Sequence, residues 1–178
     1  YRIDNMGDGP LFARIAVSGV PLSARPPELN GFNITRKLFT LDGIQISNRE
    51  HLDHGERYIV MLEGRSFSDD AHQALVVNLL AGGLEIENTR LKSGGSLEDF
   101  SWLPDLTKAR HIELRDDRYI AAFDLDEDEE MFRTAFIVRA VTKGLFVVPP
   151  PFVEDMYRPE RFARGAQISM PLRIVGRR

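Results

Sequence analysis

The chain has 178 residues, 43% hydrophobic and 28% charged, enough for one sizeable core or for one domain plus a fragment of another. Its net charge of −4 offers no basic face for nucleic acid, and no run approaches the roughly 18 consecutive apolar residues of a membrane-spanning helix. It contains no cysteine, which excludes a disulfide scaffold and a cysteine-ligated metal. No signal-peptide pattern and no initiator Met are present, so the chain is expected to be a piece of a longer polypeptide.

In chain order, residues 1–5 and 11–18 read as strands on either side of the turn-rich Asn5-Met6-Gly7-Asp8-Gly9-Pro10 and are expected to form a hairpin. Residues 19–30, with Pro21, Pro26 and Pro27, read as a linker at a domain boundary. Residues 32–41 form a strand that ends at Asp42-Gly43. Residues 57–63 place Tyr58, Val60 and Leu62 on one face between Gly55 and Gly64, and residues 73–80 are a strong apolar run closed by Gly82-Gly83. Residues 97–109 hold a turn or two of helix with Trp102 as its anchor. Residues 111–114 and 119–125 bracket a hairpin tip at Asp116-Asp117.

Residues 132–140 alternate strictly. Phe132, Thr134, Phe136, Val138 and Ala140 share a buried face, and Arg133, Ala135, Ile137 and Arg139 share a wet one. Lys143-Gly144 turns the chain, residues 145–148 return as a fully apolar strand, and Pro149, Pro150 and Pro151 then end all pairing because each lacks an N–H. Residues 153–160 follow as a loop carrying Met156 and Tyr157, and residues 167–175 are a last strand. About seven short strands with turn chemistry between them predict an all-β, antiparallel β-sandwich with little helix.

Few constellations carry chemistry. His51 and His54, beside Asp53, have H-x-x-H spacing but no third ligand, so a polar loop is the better reading than a metal site. His72 and His111 are isolated and read as loop or strand-edge residues. The acidic residues 124–130 begin like a calcium loop, but its sixth place is Glu129 instead of Gly and its twelfth is Ala135 instead of Glu; a solvated acidic hairpin tip is expected. Arg115, Asp116, Asp117 and Arg118 read as an interstrand ion-pair network. No Ser lies in G-x-S-x-G, and the glycine pairs, including Gly94-Gly95, complete no phosphate-binding loop. No catalytic residue, cofactor or metal is assigned, and the chain is not expected to be an enzyme.

Several segments together resemble the C-terminal end of the bacterial alpha-2-macroglobulins. They are Gly82-Gly83-Leu84-Glu85-Ile86-Glu87-Asn88, Arg115-Asp116-Asp117-Arg118 followed by Ala121-Ala122, Arg139-Ala140-Val141-Thr142-Lys143-Gly144, Val147-Val148-Pro149-Pro150, and Val153-Glu154-Asp155-Met156-Tyr157-Arg158-Pro159. The resemblance covers about residues 75–165, and the opening segments at residues 5–12 and 18–21 also resemble what precedes the family's last domain. It implies that residues 26–178 are the last macroglobulin-like β-sandwich, of fibronectin-like architecture. Residues 1–25 would be the returning strands of the preceding CUB-like domain, or a flanking hairpin.

The parent implied is a periplasmic inhibitor, often anchored as a lipoprotein, that traps proteases. In thioester-bearing members a Met-Tyr pair shields the thioester, which lies in C-x-E-Q of another domain; by motif that pair is Met156 and Tyr157. The other reading of these two side chains is that they pack on their own sandwich. The partners implied are the parent's other domains and the trapped proteases, with no nucleic acid and no membrane insertion. The alternative function is docking to envelope partner proteins in a member that lacks the thioester.

Overall fold

A computed structural model of the chain describes residues 2–19, 25–47, 51–87, 96–168 and 170–176. Among these residues the strands form three sheets. A six-stranded antiparallel sheet runs in the order β1 (Glu28–Asn30), β12 (Phe162–Arg164), β11 (Phe152–Asp155), β5 (His72–Leu79), β8 (Arg118–Leu125) and β7 (His111–Leu114). Against it packs a four-stranded sheet of β2 (Phe32–Thr40), β4 (Arg57–Ser66), β9 (Met131–Ala140) and β6 (Leu84–Ile86). A small third sheet joins β10 (Gly144–Phe146), β13 (Leu172–Val175) and β3 (His51–Asp53), with β13 and β3 parallel. The all-β, antiparallel sandwich read from the sequence is therefore the fold, and the one short helix among the described residues is the 3-10 turn Leu97–Asp99.

Alternation supplies the core. Phe32 and Ile34 of β2, Tyr58, Val60 and Leu62 of β4, and Phe132, Phe136 and Val138 of β9 face Ala74, Val76, Tyr119, Ala121, Phe123 and Val153 from the larger sheet. Tyr119 stacks on Phe136 with ring centroids 4.3 Å apart, and Phe123 stacks on Phe132 at 5.4 Å. Each pair spans the gap between sheets, and the Tyr119 hydroxyl is hydrogen-bonded to Thr134 Oγ1, so its burial leaves no polar atom unpaired there. Arg36 also bridges the layers, donating to Asn78 Oδ1 (2.9 Å) and to the Pro149 carbonyl (2.7 Å). Burial lowers its pKa to about 10.

Several expectations are corrected. Residues 2–19 carry no strand and are exposed, with Phe12 and Val17 among the bare side chains, so the N-terminal hairpin does not form. A two-stranded ribbon with no third strand or core to cover it is marginal in water. Tyr1, part of that hairpin, and residues 20–24 of the linker lie outside the described residues, as do Asn88, Gly94 and Gly95, and Ser169 of the last expected strand.

The outer face of β9 is not uniformly wet. Ala135 and Ile137 are buried with Ile59 beneath Leu97, Phe100, Trp102, Leu103 and Leu106, a second small core on the far side of the four-stranded sheet. Trp102 anchors this cover, donating from Nε1 to the Leu41 carbonyl at 2.8 Å. Gly43 turns beneath it at φ +84°, where a Cβ would lie 2.7 Å from the indole.

The strand after Lys143 does not return along β9. β10 pairs with β13 instead, and Leu145 and Val147 are exposed. Residues 153–155, expected in a loop, belong to β11. The acidic run does not tip a hairpin, because β8 and β9 lie in different sheets; it forms the crossover between them, with Asp126 Oδ1 accepting from the amides of Asp128 and Glu129. At the β7–β8 hairpin, Arg115 pairs with Glu113 and Arg118 with its neighbour Asp117, so those ion pairs are local and exposed, not an interstrand network.

At Gly64 the strands of the four-stranded sheet approach closely. A Cβ there would lie 2.3 Å from the Asn33 carbonyl and 2.4 Å from the Phe132 ring. Gly64→Ala should cost about 1–3 kcal/mol through overpacking. A lowered urea midpoint at unchanged slope would register that cost, and an unshifted midpoint would show that β2, β4 and β9 do not meet as described.

Candidate functional site

The Met-Tyr loop is the turn between β11 and β12. β11 pairs with β5 on one side and β12 on the other, so the turn springs from the interior of the larger sheet instead of from an edge. Asp155 N–H donates to the Arg161 carbonyl at 3.0 Å and Arg161 N–H to the Arg158 carbonyl at 2.8 Å, closing the turn. Met156 N–H donates to the Gln73 carbonyl of β5 at 2.9 Å. On this frame Met156 is 50% and Tyr157 75% exposed, which removes the reading that both pack on their own sandwich.

Beneath the turn lies a buried polar cluster. Asp155 is only 1% exposed. Its Oδ1 accepts from the amides of Tyr157 (2.8 Å) and Arg158 (3.0 Å), and its Oδ2 accepts from His72 Nδ1 (2.8 Å) and Arg158 Nε (3.1 Å). His72 Nδ1 faces both this carboxylate oxygen, an acceptor, and Arg158 Nη2, a donor, at 3.0 Å; the carboxylate favours the tautomer with the proton on Nδ1. Arg158 Nη2 also donates to the Ala71 carbonyl, and both Arg158 and Arg161 lie 3.5 Å from Asp70. Burial alone would push the Asp155 carboxyl up. The hydrogen bonds from His72, from the two turn amides and from Arg158 outweigh it and hold the carboxyl below the usual carboxylate range.

His72 is thus neither isolated nor at a strand edge. It opens the central strand β5, is 2% exposed, and sets its ring edge-on to Phe32 with centroids 5.1 Å apart. Its pairing with Asp155 joins residues 83 apart in the chain, so no local pattern announces it. The shorter-range signal was the Asp155-x-Tyr157-Arg158 spacing, in which a carboxylate two residues before an amide favours a side-chain-closed turn.

A His–Asp pair invites a hydrolytic reading, which the geometry opposes. His72 Nε2, the nitrogen a general base would present to substrate, is buried and has no hydrogen-bond partner. His51 and His54 do not converge on a metal either. His51 is exposed on β3, His54 Nε2 lies 3.0 Å from the Val141 carbonyl, and no three potential ligands gather among the described residues. His111 is exposed at the start of β7.

Residues 31–160 match the family model described as the bacterial alpha-2-macroglobulin MG10 domain. The chain belongs to the bacterial alpha-2-macroglobulin family. Among its relatives is the alpha-2-macroglobulin of Escherichia coli strain K12, 37% identical over 173 residues, or 93% of this chain and 10% of that protein. The Salmonella alpha-2-macroglobulin reacted with methylamine matches with a TM-score of 0.73 and 34% identity, over 88% of this chain and 10% of that one. Trypsin-activated alpha-2-macroglobulin from E. coli matches with a TM-score of 0.74 and 34% identity, over 88% and 11%. The chain therefore spans about a tenth of these relatives' length and is one macroglobulin domain of the family.

The lowered Asp155 pKa has a defined sign. A folded value below the unfolded one contributes stability that is complete above the ordinary carboxylate value and is lost as pH falls through the folded value. The thermal midpoint of the wild type should therefore drop on acidification below about pH 4, and Asp155→Asn should flatten part of that limb while lowering the midpoint near neutral pH. Superimposable acid limbs for the two proteins would refute the charge-compensated burial of Asp155.

Proposed function

We propose that this chain is a non-catalytic domain of a protease-trapping inhibitor, in which Met156 and Tyr157 cover a thioester held in another domain of the parent. The observation that carries the reading is the pair itself: two large hydrophobic side chains, half and three-quarters exposed, on a turn whose backbone is tied down from beneath. Such side chains left bare on a held frame fit contact with another surface. A thioester is lost to water or amines, and a polarizable Met beside a broad aromatic ring can exclude both. The relatives support the chemistry in kind: one was solved after reaction with methylamine, and others after activation by trypsin and by porcine elastase.

On this reading residues 26–178 are the parent's last macroglobulin-like domain, and residues 1–25 belong to the preceding CUB-like domain. Those N-terminal residues are exposed from 2 to 19 here, as strands would be when their own sheet lies elsewhere in the parent. The parent works in the periplasm, anchored as a lipoprotein, with its own domains and the trapped proteases as partners. The same exposed pair also suits docking to envelope partner proteins in a parent without C-x-E-Q, since Met and Tyr adapt to varied surfaces.

In a full-length parent containing C-x-E-Q, Tyr157→Ala should speed loss of thioester reactivity toward methylamine by about tenfold, the effect of removing about 1.4 kcal/mol of shielding. An unchanged rate would end the shielding assignment, and absence of C-x-E-Q from the gene would move the pair to the docking role.

A further inference from the structure

The amides of Met156, Tyr157 and Arg158 are three in a row, and all three are bound to the sheet beneath. The first donates to the Gln73 carbonyl of β5; the other two share Asp155 Oδ1. Asp155 is itself held from two directions, by His72 from the start of β5 and by the guanidinium of Arg158. A carboxylate this deeply buried persists as an anion only when its oxygens are met by donors, and here four donors supply that. Every one of those bonds also restrains the direction in which residues 156–158 leave the sheet. A surface turn carrying exposed hydrophobic side chains has no need of such a foundation for its own folding, because β11 and β12 are already paired through Phe152–Glu154 and Phe162–Arg164.

We propose that Asp155, with His72 and Arg158, is the positioning residue of the Met156–Tyr157 contact. The clamp sets the turn in its contact geometry before the other domain arrives. Covering the reactive bond then does not carry the entropy cost of ordering a loop. The proposal rests on the shielding reading for its purpose, but the clamp has a readout of its own. Asp155 acts through the turn backbone and touches no reacting atom, so its loss should disturb the turn far more than the core.

The test compares Asp155→Asn, His72→Phe and Tyr157→Ala. In the 178-residue chain, amide hydrogen exchange is followed at Tyr157 and Arg158 relative to Ile137 in the middle of β9, which reports global stability separately and so distinguishes a loss confined to the turn from a global one. In the full-length parent, thioester decay in methylamine is followed. Asp155→Asn should lower the relative protection of both turn amides by about tenfold or more and speed decay, with Tyr157 still in place. His72→Phe keeps the ring packed on Phe32 and leaves the Oδ1 bonds intact, so it should lower protection by a smaller factor; it serves as the readout if the Asn variant does not fold. Tyr157→Ala should speed decay with the Arg158 amide still protected. Unchanged relative protection in the Asp155 and His72 variants overturns the clamp, even if Tyr157→Ala speeds decay. Lost protection with unchanged decay in every variant upholds the clamp and overturns the shielding reading.

Discussion

The buried carboxylate of Asp155 is the constraint on which the Met156–Tyr157 turn depends. An anion with 1% exposure is tolerated because His72, Arg158 and two turn amides all donate to it. The donors come from β5 and from the turn after β11, so the same interaction that offsets desolvation also welds a surface turn to the middle of a sheet. Met156 and Tyr157 are presented by that weld. Their exposure would be an aggregation liability on a loose loop; the weld holds them on a fixed one, as the proposed contact with another domain requires.

The sandwich supplies the rigidity this arrangement needs. Stacked aromatic pairs tie β8 to β9 across the layers, Arg36 ties β2 to Asn78 and to the first of the three consecutive prolines, and the β9 and β4 centres are buried on both faces. Pro149–Pro151 then carry the chain from the third sheet into β11, held at one end by Arg36 and at the other by the Pro151 carbonyl, which accepts from Gly165 N–H at 2.9 Å. The route into the Met-Tyr turn is thus restrained along its length by backbone stiffness and by bonds to two sheets.

The elements that depart from their sequence periodicity do so for a common reason. Ala135 and Ile137 alternate with arginines and look wet by period, yet Trp102 and its neighbours in residues 97–106 fold over them from well earlier in the chain. Lys143-Gly144 looks like a hairpin turn, yet the strand it starts pairs with β13, because β9 is already bordered by β4 and β6. Residues 11–18 alternate as a strand should, but with no sheet to join they remain unpaired. Period reports what a segment is able to bury, not whether a partner surface exists. His72 shows the same limit at the level of chemistry: alone it is an unremarkable histidine, and only the register of β5 against β11 sets it against Asp155.

The amino-acid sequence by itself determined the fold class, most strand positions, the turns at Asp42-Gly43 and Asp116-Asp117, the anchoring role of Trp102 and the family, because each rests on local periodicity, turn chemistry or contiguous motifs. It also singled out Met156 and Tyr157 as a pair. Tertiary structure alone decided that the pair is exposed, that β10 joins a third sheet, that the outer face of β9 is covered, and that His72, Asp155 and Arg158 meet beneath the turn. Those outcomes depend on which strands become neighbours across long loops, a choice made by the free energy of the whole packed sandwich and not by any one segment.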